Sequence, residues 1–176
     1  TYPLPSLCKR QFTISLRRVK EGLLPGQVLL RLKGASPRNH MQILLVEDDE
    51  VDVEHFLRNL QQHGFQQPVH VAHNGVEALA LLQEQTVTTG SSVPWLIITD
   101  LQMPRMNGLE FLRALRANAS LAPFVAFVLT SSDLEEDKRA AYAEKVAGYL
   151  VKADVSKHFA VLVGLLRAYD VLVLLP

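Results

Sequence analysis

The stretch Gln42-Ile43-Leu44-Leu45-Val46-Glu47-Asp48-Asp49 decides the fold. A short unbroken apolar run is what a strand covered on both faces requires, and this one stops abruptly at three acids. The same pattern recurs downstream. Pro68-Val-His-Val-Ala72, Trp95-Leu-Ile-Ile-Thr99, Phe124-Val-Ala-Phe-Val-Leu129 and Gly148-Tyr-Leu-Val151 read as four further strands. Helix-period segments separate them. Asp49 or a neighbour can cap the first, to about His63, with Val53, Phe56, Leu57 and Leu60 on one face and Gly64 as its stop. Asn74 can cap a second carrying Val76, Leu79, Leu81 and Leu82, before a polar loop from Thr86 to Pro94. Asn107 can cap a third to about Asn118, buried through Leu109, Phe111, Leu112 and Leu115. A charged, one-faced helix follows from Asp133 to about Lys145, and Ser156 is expected to cap a last one through about Tyr169. Five strands and five helices in strict alternation predict an α/β fold, a doubly wound parallel sheet with helices on both faces.

The rest of the chain differs in character. Residues 1–40 hold eight Lys/Arg against the single acid Glu21, a net charge of +7, while residues 41–176 hold ten bases against seventeen acids, −7. The first segment is punctuated by Pro3, Pro5, Pro25, Gly26, Gly34 and Pro37, and Phe12–Leu16 with Gln27–Leu32 would make at most a hairpin, which is marginal alone. We read it as an N-terminal extension, a linker remnant or non-native leader, rather than a nucleic-acid or anionic-membrane binding element. Residues 41–170 form the expected domain and 171–176 an apolar tail, which would pack on the domain or on a second subunit to make a homodimer. Cys8 is the only cysteine and excludes an internal disulfide. No apolar run approaches the ~20 residues of a membrane helix, so a soluble, cytoplasmic protein is expected.

Ligand sites in open α/β sheets lie beyond the carboxyl ends of the strands, where strand order reverses. Glu47, Asp48 and Asp49 follow the first strand, Asp100 the third, Thr130 and Ser131 the fourth, and Lys152 the fifth. Taken singly, each has an ordinary explanation: acids at a helix start, a turn residue, a strand-end hydroxyl, a surface lysine. Their conjunction at one rim is what carries weight. Clustered carboxylates need a compensating cation, and an all-oxygen donor set points to Mg²⁺. Asp100 could then attack phosphorus to form an aspartyl-phosphate, with Lys152 pairing a phosphoryl oxygen and Thr130 donating its hydroxyl to another.

Ile43–Asp49, Ile98-Thr-Asp-Leu-Gln-Met-Pro-Arg-Met-Asn-Gly108, Val128-Leu-Thr-Ser131 and Gly148-Tyr-Leu-Val-Lys152 together resemble the response-regulator receiver family. The resemblance implies the flavodoxin-like strand order 2-1-3-4-5 and two-component phosphorelay signalling in a bacterial cell. It places Asp100 at the phosphoacceptor position, with Glu47, Asp48 and the Gln102 backbone carbonyl joining Asp100 as metal ligands, Asp48 the more direct of the acidic pair. It places Thr130, Lys152 and Tyr149 at the switch and phosphate-binding positions. The loop before Trp95, the early Val51-Asp52 and the closing Tyr169–Pro176 look like stand-alone receivers that partner phytochrome-type histidine kinases. One departure is Ala153, where the family usually has proline after a cis peptide, so that peptide is expected to be trans or strained.

The implied function is not that of an enzyme. A histidine kinase donates to Asp100, Thr130 and Tyr149 shift, and a protein-binding face is repacked for a downstream target. Only seven residues follow Tyr169, too few for a DNA-binding unit, so output is expected through protein contact. The alternative is a receiver-like binding module that works without phosphorylation. A metal-dependent hydrolase on such a sheet would want an acid two residues after Asp100, where Gln102 stands.

Overall fold

A computed structural model describes residues 41–89 and 94–172. Five strands, β1 (Gln42–Val46), β2 (Val69–Ala72), β3 (Trp95–Thr99), β4 (Val125–Thr130) and β5 (Gly148–Val151), form one sheet in the order β2-β1-β3-β4-β5, every pairing parallel. The helices are α1 (Glu50–Gln62), α2 (Gly75–Thr89), α3 (Gly108–Ala117), α4 (Glu135–Ala143), α5 (Lys152–Lys157) and α6 (Phe159–Leu172).

The apolar runs are continuous because both faces are covered. Leu44, Val46, Ile97, Ala126 and Val128 point into one core, with Leu82 of α2, Phe111, Leu112 and Leu115 of α3, and Ala141 of α4. Their neighbours Ile43, Leu45, Leu96, Ile98, Phe127 and Leu129 point into the other, against Phe56 and Leu60 of α1 and Phe159, Leu162, Val163 and Leu166 of α6. All five residues of β3 are buried, as befits the middle strand.

Short acceptor side chains start three helices. The Asp49 carboxylate accepts from the amides of Val51 and Asp52, Asn74 from Val76 and Glu77, and Asn107 from Glu110 in a reciprocal capping box. Gly64, at φ 66°, carries the chain away from α1 in a conformation that suits glycine. At the pole where the strands begin, the Met41 amide donates to Asp170 Oδ1 of α6 at 3.0 Å, and Gln67 Nε2 donates to the other oxygen at 2.6 Å.

Three expectations need correcting. The described chain has six helices, not five, because the segment after β5 turns directly into α5 and breaks at His158 before α6. Ser156 caps nothing; it lies inside α5 and its hydroxyl donates to the Lys152 carbonyl. Proline at 153 would push Lys152 out of the helical region, whereas Ala153 lets the helix begin there, with no cis peptide among the described residues. The loop expected from Thr86 is helical through Thr89, since a few β-branched residues cost only tenths of a kcal/mol each, about 0.5 at most, against an established helix. The proposed hairpin, Cys8 and the tail beyond Leu172 lie outside the described residues.

Candidate functional site

The register brings the acids together. Val46 lies opposite Thr99 and Thr99 opposite Val128, so the residues that follow β1 and β3 emerge side by side. The Asp100 amide donates to the Val46 carbonyl and the Glu47 amide to that of Ala72, which extends the ladder by one residue and fixes where both side chains depart. This is the point at which the chain has gone from β1 outward to β2 and returned on the other side to β3.

Asp100 is 7% exposed. Its Oδ1 accepts from the Leu101 amide at 2.5 Å and the Gln102 amide at 3.4 Å, and its Oδ2 accepts from Lys152 Nζ at 2.9 Å. The backbone behind it is clamped. The Gly108 amide donates to the Leu101 carbonyl, and a Cβ at position 108 would lie 2.1 Å from the Asp100 carbonyl oxygen. Only glycine lets the loop from β3 fold back this closely.

Lys152 is the hub of the site. Its ammonium lies 2.7 Å from Glu47 Oε2, 2.6 Å from Asp52 Oδ2 and 2.9 Å from Asp100 Oδ2. Burial would lower its pKa, but hydrogen bonds to Asp52, Glu47 and Asp100 outweigh that and raise it, so the ammonium stays charged. Glu47, 3% exposed, is pushed up to about 7 by burial, with Lys152 pulling the other way.

Asp48 has a different setting. It is exposed and lines a cleft of about 400 Å³ together with Gln102, Met103, Pro104, Asn107 and Asp137. Thr130 is fully buried at the end of β4, and its hydroxyl oxygen accepts from the Ser132 amide at 3.4 Å. The half-buried Tyr149 donates its hydroxyl to the Ser132 carbonyl at 3.0 Å. Thr130 and Tyr149 therefore meet through one loop residue.

The structure thus joins Glu47, Asp100 and Lys152 directly, sets Asp48 and Gln102 on the adjoining cleft, and pairs Thr130 with Tyr149. Asp52 was missed as a member of the site. Its signal was Asp49 as cap, which puts Asp52 in the first turn of α1, one turn on from Asp48. Among the described residues no three His, Cys, Asp or Glu side chains converge as a metal site, and the Lys152 ammonium contacts both Glu47 and Asp100. The donor set nonetheless fits a hard divalent ion: it is all oxygen, and Glu47, Asp48, Asp52 and Asp100 outnumber the one ammonium. No helix of the described residues is long and apolar enough to cross a membrane.

A family model described as response regulator receiver domain matches residues 43–160. Response regulator Rcp1 of Synechocystis sp. (strain ATCC 27184 / PCC 6803 / Kazusa) is 34% identical over 111 residues, covering 63% of this chain and 76% of Rcp1. Among solved structures, the phosphorylated cyanobacterial phytochrome response regulator RcpA is 29% identical with a TM-score of 0.65, over 78% of this chain and 99% of that one. The Mn²⁺-bound form of Rcp1 is 32% identical with a TM-score of 0.63, over 77% and 98%.

Proposed function

The chain belongs to the response regulator receiver domain family, whose members work in two-component signalling, and from that premise we propose that it accepts a phosphoryl group on Asp100 from a histidine kinase. The observation that carries this reading is the setting of Asp100: nearly buried at the strand-order reversal, gripped by a backbone amide and an ammonium, and next to an open cleft. An Asp100 carboxylate oxygen attacks phosphorus, the O–P bond forms as the P–N bond of the kinase phosphohistidine breaks, and the electron pair returns to the imidazole nitrogen.

Asp48, Asp100, Glu47 and the backbone carbonyl of Gln102 would hold Mg²⁺ beside the reacting carboxylate. When bound, the ion supplies charge neutralisation for an anionic donor approaching a cluster of acids. Lys152 pairs a phosphoryl oxygen as a point charge, and Thr130 offers another its hydroxyl. Because Thr130 and Tyr149 share Ser132, movement of the threonine reaches the tyrosine and the surface formed by α4, β5 and α6. That surface would meet the downstream protein. The likeness to Rcp1 and RcpA supports a phytochrome-type kinase as donor in the cytoplasm.

Intact-mass spectrometry after incubation with phosphoramidate and Mg²⁺ tests the assignment. One phosphate should add to the wild type and none to Asp100→Asn. An unmodified wild type, or an undiminished signal in the variant, would sink it.

A further inference from the structure

We propose that Asp52 holds Lys152 in reserve: its carboxylate competes with the incoming phosphoryl group for the Lys152 ammonium and so slows phosphorylation of Asp100. This inference rests on Asp100 being the acceptor. An ammonium has three N–H donors, and here three carboxylates lie within 2.6–2.9 Å of it, Asp52 and Asp100 as hydrogen-bond acceptors and Glu47 as an ion-pair partner. A phosphoryl oxygen can pair with Lys152 only by displacing one of them.

Exposure decides which gives way. The Glu47 and Asp100 side chains are 3% and 8% exposed, and on the proposed function both would have a divalent cation as compensation, which leaves Asp52 as the carboxylate still competing for the ammonium. The Asp52 side chain is 42% exposed and exchanges Lys152 for water at little cost. Asp52 belongs to the first turn of α1, not to a strand end, and touches no reacting atom. Its contact with Lys152 belongs to the resting state and is given up when the phosphoryl group takes the ammonium. An interaction made only in the ground state raises the barrier.

The test is the initial rate of phosphate incorporation into the full chain from phosphoramidate with Mg²⁺, in the wild type and in Asp52→Asn, Asp52→Ser and Asp52→Glu. Asp52→Asn and Asp52→Ser should be faster by about two- to five-fold, the range an exposed ion pair allows. Asp52→Glu should return to the wild-type rate. Thermal melting identifies folded variants, and should Asp52→Asn not fold, Asp52→Ser carries the test. A folded Asp52→Asn or Asp52→Ser with an unchanged or slower rate, or an Asp52→Glu as fast as they are, overturns the competition while leaving Asp100 as acceptor. A wild type that takes up no phosphate overturns both.

Discussion

Substituting Gly108 by alanine tests how closely the loop behind Asp100 is packed. The new Cβ would stand 2.1 Å from the Asp100 carbonyl oxygen, 2.8 Å from Leu101 Cα and 3.0 Å from the Asp100 carbonyl carbon. These are backbone atoms of the strand end, so no side chain can swing away. Restoring ordinary contact requires the loop to retreat by about 1 Å, which strains or breaks the Gly108–Leu101 backbone hydrogen bond. That bond contributes about 1 kcal/mol and overpacking costs ~1–3 kcal/mol, for a total of about 2–4 kcal/mol. Because the clash falls on Asp100 itself, the carboxylate moves with the backbone, and a 1 Å misplacement costs on the order of 100-fold in rate. Urea unfolding gives the first quantity and phosphoramidate-driven phosphorylation the second. A loss below about 0.5 kcal/mol together with an unaltered rate would refute the account, since surface-level tolerance is incompatible with a clamped strand end.

The opposite sign is expected at Gly164, inside α6 and with nothing within 4 Å of an added Cβ: Gly164→Ala should stabilise by about 0.5–1 kcal/mol, read as a higher Tm. His70 packs edge-on against Trp95, and burial lowers its pKa from 6.5 to about 4. The unfolded chain therefore binds a proton that the folded chain refuses, and stability should fall as pH drops from about 6.5 toward 4, by up to about 3 kcal/mol; denaturation midpoints of His70→Gln should lack that component. The Arg116 guanidinium donates to the carbonyls of Ala122, Phe124, Glu144 and Lys145, tying the end of α3 to the entries of β4 and β5. Arg116→Met should cost about 2–3 kcal/mol in urea unfolding, whereas a change under about 0.5 would show that water replaces the guanidinium freely.

The strands were legible because a run buried on both faces leaves few other assignments, and β3 is the clearest case. The caps Asp49, Asn74 and Asn107 were legible because each is a short acceptor ahead of a helix-period segment, and local chemistry settles such starts. The meeting of Glu47, Asp100 and Lys152 followed from one topological rule applied to strand ends. The break at His158 was not legible, because neither glycine nor proline stands beside it and the glycine in this segment, Gly164, lies inside α6; it depends on how α5 leaves β5. Asp52 was harder still. Its contact with Lys152 spans 100 residues and depends on the distance between α1 and α5, which no local pattern encodes.

The bond between Met41 and Asp170 has a consequence for how this molecule can be handled. It ties the Met41 amide, just ahead of β1, to a side chain in the last turn of α6, at the pole opposite the acids. The domain is therefore nearly a closed ring in connectivity. A short peptide could link these two points, and a permuted chain opened at an exposed turn should keep its sheet. Labels placed at the two junctions would form a close pair as long as α6 stays docked, and would separate when it undocks, leaving the acidic site untouched.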